Sequence, residues 1–136
     1  LYIIKVNKVV YFIILKEYIK MKEEKQVEYI KEFVEFPTFI RSFVRPGNLF
    51  AGEAECWRFN CPECDLQVSV IRSSTSYGGR QGLFELAFML GDEVYERTEL
   101  CYNVVGYLTE DEVLEYLEKG RKLQYDPEKY MFVVVD

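Results

Sequence analysis

Histidine is absent from the 136-residue sequence. Its absence excludes Ser–His–Asp and Cys–His catalysis and every zinc site that needs an imidazole ligand. Acid–base chemistry would have to use carboxylates, lysine, tyrosine or cysteine, and no arrangement of these residues in the sequence indicates such chemistry. The sequence therefore predicts a protein that is not an enzyme.

Positively charged residues are also few, because the sequence has 17 lysines and arginines but 23 aspartates and glutamates. The resulting net charge of −6 disfavours binding to nucleic acid and to anionic membranes, both of which attract basic surfaces. Long hydrophobic runs are missing too: the run at residues 9–15 has seven residues, whereas a membrane-spanning helix needs about 20. We expect a cytoplasmic protein with a protein partner.

The first twenty residues lack Gly, Ala, Ser, Thr, Pro and Asp. Most residue types that they do contain have A/T-rich codons, and codons for Lys16 and Glu17 can spell a ribosome-binding sequence upstream of Met21. We interpret residues 1–20 as a non-native upstream extension and residues 21–136 as a single domain. Two alternatives stay open: a strand or helix of the fold, or a membrane or export segment, although no small-residue cleavage site follows.

Two helical segments are predicted near the start of this domain. Apolar residues recur at helical spacing within residues 22–35, with glutamate and lysine between them, which is typical of an amphipathic helix. Pro37 marks its boundary. Thr38 is the expected cap of a short second helical turn, which includes Phe43 and stops at Pro46.

Beyond Ala51 the apolar period changes to two, which indicates strands. Strands are predicted over residues 54–59, 66–71, 83–90 and 93–97, of which the nearly continuous apolar segment 83–90 is expected to be central. Gly91 and Asp92 form a two-residue turn that favours a hairpin. Because the strands follow one another through short connections, we expect mainly antiparallel pairing.

A second helix is predicted near the C-terminal end. Thr109 and Glu112 form a capping box, Val113 and Leu117 belong to its apolar stripe, and Gly120 is its expected end. The predicted fold class is thus α+β, with a four-stranded mainly antiparallel sheet and an N-terminal and a C-terminal helix packed on one face. The apolar tail at residues 130–135 is either an additional edge strand or a poorly specified end.

The four cysteines suggest a metal site. Cys61 and Cys64 form a Cys-Pro-x-Cys knuckle, which suits tetrahedral zinc, and Cys56 and Cys101 would be needed as the third and fourth thiolates. Such a zinc ion would be a structural cofactor, since four thiolates leave no open position. Two alternatives remain: reduced, partly buried thiols, or a redox pair or disulfide.

Residues 73–82, Ser-Ser-Thr-Ser-Tyr-Gly-Gly-Arg-Gln-Gly, form a long connection between two predicted strands. They lack the spacing of a phosphate loop, and no predicted helix follows them. We expect a loop that is flexible at Gly78 and Gly79 and presents Tyr77 and Arg80 to a partner. Nearby, Glu85 interrupts an apolar strand and is expected to face outward or to pair with a cation such as Arg72.

Four short motifs stand in the central part of the chain: Val-Ser-Val-Ile-Arg at residues 68–72, Ser-Tyr-Gly-Gly at 76–79, Gly-Leu-Phe-Glu at 82–85 and Val-Val-Gly-Tyr-Leu-Thr at 104–109. Together they resemble small proteins without established activity that are encoded by phages and prophages of low-GC Gram-positive bacteria. The resemblance covers roughly residues 55–123 and implies a small cytoplasmic accessory protein made during infection or lysogeny. It adds nothing to the zinc interpretation.

The predicted function is that of a phage accessory protein that binds a host or phage protein through Tyr77, Gly78, Gly79 and Arg80. The alternative is a zinc-stapled structural domain that touches nucleic acid through its cysteine knuckle, although the negative charge argues against the nucleic-acid part.

Overall fold

The computed structural model describes residues 13–18 and 30–136. These residues contain two α-helices, α1 (residues 13–18) and α2 (Glu110–Gly120), a 3-10 turn at Gly79–Gln81, and eight strands. The strands are β1 (Phe39–Arg45), β2 (Ala54–Asn60), β3 (Gln67–Ser73), β4 (Phe84–Leu90), β5 (Glu93–Val94), β6 (Val104–Leu108), β7 (Leu123–Asp126) and β8 (Met131–Val134). The predicted α+β class is confirmed.

Six of the strands form one antiparallel sheet in the order β1-β2-β3-β4, with β5 and β6 both on the remaining edge of β4. Strand β4 is central, as predicted, but the predicted number of four strands is wrong. Strand β5 is also shorter than predicted, and β7 and β8 form a separate hairpin. Strand β6 escaped prediction because Gly106 interrupts its apolar pattern, and a glycine inside a strand weakens the strand signal.

The predicted helix over residues 22–35 is wrong in its described part, and residues 22–29 lie outside the described residues. Residues 32–38 form turns and a bend, and Phe33 has a left-handed backbone with φ of +63°, which an α-helix cannot contain. The Phe33 ring packs edge-on against Trp57 at 5.5 Å and Phe84 at 5.0 Å between centroids. The gain from burying this ring outweighs the local helical preference.

The short helical turn predicted after Thr38 is also wrong, since residues 39–45 are strand β1. Strand β1 pairs with β2 along its length, from Phe39 opposite Phe59 to Arg45 opposite Ala54. Its aromatic and β-branched residues suit a pleated, half-buried surface. The pairing with β2 therefore outweighs the local preference for a helical turn.

Helix α2 begins with the predicted capping box. The Thr109 hydroxyl accepts a hydrogen bond from the Glu112 backbone N–H at 3.2 Å, and the Glu112 carboxylate accepts one from the Thr109 N–H at 3.1 Å. Val113 and Leu117 are fully buried in the main core. Gly120 is the last helical residue rather than a left-handed cap, and a β-carbon there would lie 3.6 Å from the Phe88 ring on the sheet.

Arg72 attaches the turn segment at residues 30–36 to the sheet. One terminal nitrogen, Nη2, lies 3.0 Å from the Glu32 carboxylate and 2.9 Å from that of Glu55. The guanidinium carbon also lies 4.8 Å from the centre of the Phe84 ring. The same cation thus neutralises two carboxylates from different segments and covers one edge of the aromatic core.

We expect Arg72→Ala to lower the free energy of unfolding by about 2–3 kcal/mol, because it removes charge-assisted hydrogen bonds from a half-buried site. Urea unfolding measures the change. Arg121→Ala is the matched control. Among the described residues Arg121 pairs with Glu118 alone, on the exposed face of α2, and such a pair contributes about 0.2–1 kcal/mol. Equal losses in the two variants would contradict the role given to Arg72.

Candidate functional site

The connection between β3 and β4 begins with a compact turn built from two serines. The Ser73 N–H donates to the Ser76 hydroxyl at 2.8 Å, and the Ser76 N–H donates to the Ser73 hydroxyl at 3.0 Å. The Ser76 hydroxyl in turn donates to the Ser73 carbonyl at 3.0 Å. Short hydroxyl side chains make such local bonds readily, so the turn supplies its own hydrogen-bond partners.

The glycines that follow allow close packing. A β-carbon on Gly79 would lie 1.7 Å from the Ser73 carbonyl oxygen, a separation that no side chain permits. Gly78 has φ of +89°, and a β-carbon there would lie 2.8 Å from the α-carbon of Tyr107. The two glycines thus allow the folded loop to lie close to other backbone segments. This role differs from the flexibility that the sequence predicted at these positions.

The middle of the loop is bonded to two neighbouring strands. The Tyr77 N–H donates to the Glu85 carboxylate on β4 at 2.7 Å, and the Tyr77 carbonyl accepts from the Tyr107 N–H on β6 at 3.0 Å. Glu85 is therefore paired, as expected, but with a backbone N–H. The expected partner Arg72 instead binds Glu32 and Glu55.

These and other bonds within the loop leave few N–H groups free to bind a phosphate. Seven N–H groups of the connection donate to oxygen atoms within the protein: those of Thr75, Ser76, Tyr77, Gly79, Gln81, Gly82 and Leu83. A phosphate-binding loop needs its N–H groups directed at the ligand. The structure thus agrees with the view that the loop does not cradle a phosphate.

The loop presents two tyrosines and an arginine. Tyr77 is 59% exposed and Tyr107, next to it on β6, is 57% exposed. Tyr107 also has a left-handed backbone with φ of +57°, a conformation that costs a non-glycine residue about 1–3 kcal/mol and is found preferentially at functional positions. The Arg80 Nε donates to the Ser74 carbonyl at 3.0 Å, which orients its guanidinium.

A second loop, between β1 and β2, lies at the same end of the sheet. The Asn48 side-chain oxygen accepts hydrogen bonds from the N–H groups of Phe50 at 2.8 Å and Ala51 at 2.9 Å. The turn leaves Leu49 97% exposed and Phe50 91% exposed. Gly52 of this loop approaches Ser74 of the other so closely that a β-carbon would lie 3.0 Å from the Ser74 hydroxyl.

We call this set the loop-end surface: Leu49, Phe50, Tyr77, Arg80 and Tyr107. Antiparallel register places their connections at one end of the sheet, where Arg45 pairs with Ala54 and Ala54 with Ser73. Of the predicted partner-binding residues, Tyr77 and Arg80 belong to this surface, whereas Gly78 and Gly79 shape the loop beneath it. Sequence reasoning missed Leu49, Phe50 and Tyr107. An apolar pair beside the turn residues Pro46, Gly47 and Asn48 was the available signal for the first two.

The four cysteines are not brought together. The Cys56 side chain lies on the other face of the sheet from those of Trp57 and Phe59, because successive side chains of a strand point to opposite faces. It belongs to a separate buried cluster with Phe43 and Ala54. The Cys101 thiol donates to the Asn103 carbonyl at 3.2 Å. Within residues 13–18 and 30–136 no group of three or more Cys, Asp or Glu residues is placed to hold a metal ion. The expected zinc site of Cys56, Cys61, Cys64 and Cys101 therefore has no counterpart there.

Comparison with known proteins gives no match: no protein-family model, no curated protein and no solved structure is significantly similar to the chain. Neither helix of the described segments is long and apolar enough to cross a membrane. Function must therefore be inferred from the site's own geometry.

We expect Gly79→Ala to lower the free energy of unfolding by at least about 1–3 kcal/mol, the usual effect of overpacking, and to expose the Tyr77 N–H to hydrogen exchange. Gly82→Asn is the matched control, because nothing lies within 4 Å of a β-carbon there and asparagine tolerates a positive φ. Urea unfolding and amide exchange measure the two effects. A Gly79→Ala protein as stable and as protected as the control would contradict this account of the loop.

Proposed function

We propose that this protein is a non-enzymatic binding module that recognises a protein partner through the loop-end surface. The observation that carries the proposal is a preformed loop pair that exposes two tyrosines, a phenylalanine and a leucine beside an oriented arginine. Tyrosine and arginine are enriched among the residues that dominate protein–protein affinity. The sequence-based hypothesis named Tyr77 and Arg80, and the larger surface extends it.

Burial of the exposed apolar side chains by a partner would contribute favourable free energy to binding. Complete burial of a leucine or phenylalanine is worth about 1.5–3 kcal/mol relative to leaving it exposed. Leu49 and Phe50 are almost fully exposed, so most of that free energy is available to a partner. Asn48 bonds the turn from within, and a loop that is ordered beforehand loses less conformational entropy on binding.

Arg80 indicates the chemistry of the partner. Its Nε is used inside the loop, and no salt bridge joins its terminal nitrogens to a carboxylate among the described residues. A partner segment that brings a carboxylate beside apolar side chains would complement both features, since arginine binds carboxylates well. Nucleic acid fits less well, because the chain carries a net charge of −6.

We place this module in a phage or prophage of a low-GC Gram-positive bacterium, with a host or phage protein as the partner. The support is the resemblance of the four central motifs to small proteins of that origin. Two of these motifs contribute to the loop-end surface, since they contain Tyr77 and Tyr107.

The test begins with capture of interacting proteins from a lysate of a low-GC Gram-positive host by the full chain. The captured protein is then purified and titrated against variants. We expect Tyr77→Ala to weaken binding about 30-fold or more, the effect of losing a residue worth about 2 kcal/mol. Arg80→Ala should weaken it too, with a reduced dependence on salt.

Tyr102→Ala is the matched control. Tyr102 is an exposed tyrosine. It lies before the first residue of β6, whereas Tyr107 lies next to the last residue of that strand, so the loss of the Tyr102 side chain should leave affinity unchanged. Equal affinities for wild type and Tyr77→Ala, or failure to capture any protein, would overturn the proposal. Circular dichroism of each variant separates loss of binding from loss of folding.

A further inference from the structure

Cys61 and Cys64 lie at the opposite end of β2 and β3 from the loop-end surface. They are the first and last residues of a four-residue turn, in which the Cys64 N–H donates to the Cys61 carbonyl at 3.2 Å. Such a turn holds its end α-carbons within about 7 Å, and a disulfide needs about 4.4–6.8 Å. The backbone spacing of this turn is therefore compatible with a Cys61–Cys64 disulfide.

The two thiols differ in their access to solvent. Cys61 is fully buried, in the core below α2, and a β-carbon on Gly120 would lie 3.7 Å from its sulfur. Cys64 is only half-buried and follows the exposed Pro62 and Glu63. A reagent that arrives from solvent therefore meets Cys64 first, and Cys61 is reached only through it.

We propose that the Cys61–Cys64 turn is a thiol–disulfide exchange site, in which Cys64 is the attacking thiol and Cys61 the resolving thiol. It is independent of the proposed binding function, since none of its residues belongs to the loop-end surface. Cys56 and Cys101 serve as structural thiols: both are buried, and each donates to a backbone carbonyl.

The reaction balances with a disulfide R–S–S–R as the oxidant. The Cys64 thiolate attacks one sulfur of R–S–S–R, forms a mixed disulfide and releases the first R–S⁻. The Cys61 thiol gives its proton to solvent and attacks the Cys64 sulfur, which releases the second R–S⁻ and leaves the Cys61–Cys64 disulfide. Two cysteine thiols are oxidised, one disulfide is reduced, and the two protons end on the two R–SH products.

The protonation of the pair favours this division of roles. A hydrogen bond from the Cys61 thiol lowers the pKa of Cys64 to about 7 against the opposing effect of burial, and the Leu66 N–H contributes in the same direction. The same bond, together with burial, raises the pKa of Cys61. Cys64 thus carries substantial thiolate near neutral pH, whereas Cys61 stays protonated until the mixed disulfide removes its partner.

Neighbouring charge indicates which disulfides react best. Glu63 and Asp65 flank Cys64, both are exposed, and their carboxylates oppose the formation of the thiolate. They also repel anionic reagents and attract cationic ones over about one Debye length. The favoured substrate class is therefore a cationic or neutral disulfide, with an anionic disulfide such as oxidised glutathione reacting more slowly.

The test uses the reduced full chain, treated with the cationic disulfide cystamine and mapped by peptide mass spectrometry. We expect a Cys61–Cys64 disulfide, with Cys56 and Cys101 recovered as free thiols. Cys61→Ser and Cys61→Ala should instead accumulate a stable mixed disulfide on Cys64, because the resolving thiol is gone. Cys64→Ser should leave Cys61 unreacted in the folded protein, as checked by circular dichroism.

The pH dependence and the charge of the reagent give two further readouts. The rate of mixed-disulfide formation should rise with pH around a midpoint of about 7, and Cys61→Ala should move that midpoint up toward about 8.5, the value of an ordinary thiol. Cystamine should react faster than oxidised glutathione, by a factor that shrinks as salt is added.

Failure to form the Cys61–Cys64 disulfide would overturn the proposal, as would equally fast oxidation of Cys56 or Cys101. A Cys61→Ser protein that accumulates no adduct on Cys64 would overturn the assigned order of attack. Loss of partner binding through Tyr77→Ala would leave these results unchanged, so the two proposals fail separately.

Discussion

The backbone of Tyr77 is the contact on which the loop end of the molecule depends. Its N–H is bound by Glu85 on β4, and its carbonyl is bound by the N–H of Tyr107 on β6. Gly106 faces it so closely that a β-carbon would lie 2.2 Å from that of Tyr77. One residue therefore joins the long loop to two strands and turns both tyrosine side chains toward solvent.

Strands β2 and β3 connect this loop end to the cysteine turn. Their central residues Trp57 and Val70 are fully buried, and Arg72 holds the segment around Glu32 over one edge of that core. The backbone is therefore held in defined turns at both ends of the sheet: hydrogen-bonded turns at the loop end, and a short turn beneath α2 at the other end. The two proposed sites, one for apolar contact with a partner and one for thiol exchange, are separated by the length of the strands.

The sequence was most informative where one local signal matched the final environment. The capping box at Thr109, the apolar alternation of β2 and β3 and the nearly continuous apolar run of β4 predicted their elements, because these residues meet in the structure the neighbours that the pattern implies. Phe33 and β1 could not be predicted in this way, since a long-range aromatic cluster and pairing with β2 outweigh a local helical pattern. The metal interpretation failed at Cys56 for a similar reason: strand alternation turns it to the opposite face from Trp57. Two of the five residues of the loop-end surface were predicted, because the placement of Leu49, Phe50 and Tyr107 at this end of the sheet depends on the register of its strands.

The central claim is that residues 74–82 are ordered in the free protein and so present a preformed surface. Backbone ¹⁵N relaxation tests it most directly, through the order parameter of each loop amide. We expect values of about 0.85, as in the flanking strands, for Tyr77, Gly79 and Gln81. Values below about 0.6 at these positions would show a flexible loop and would contradict the claim.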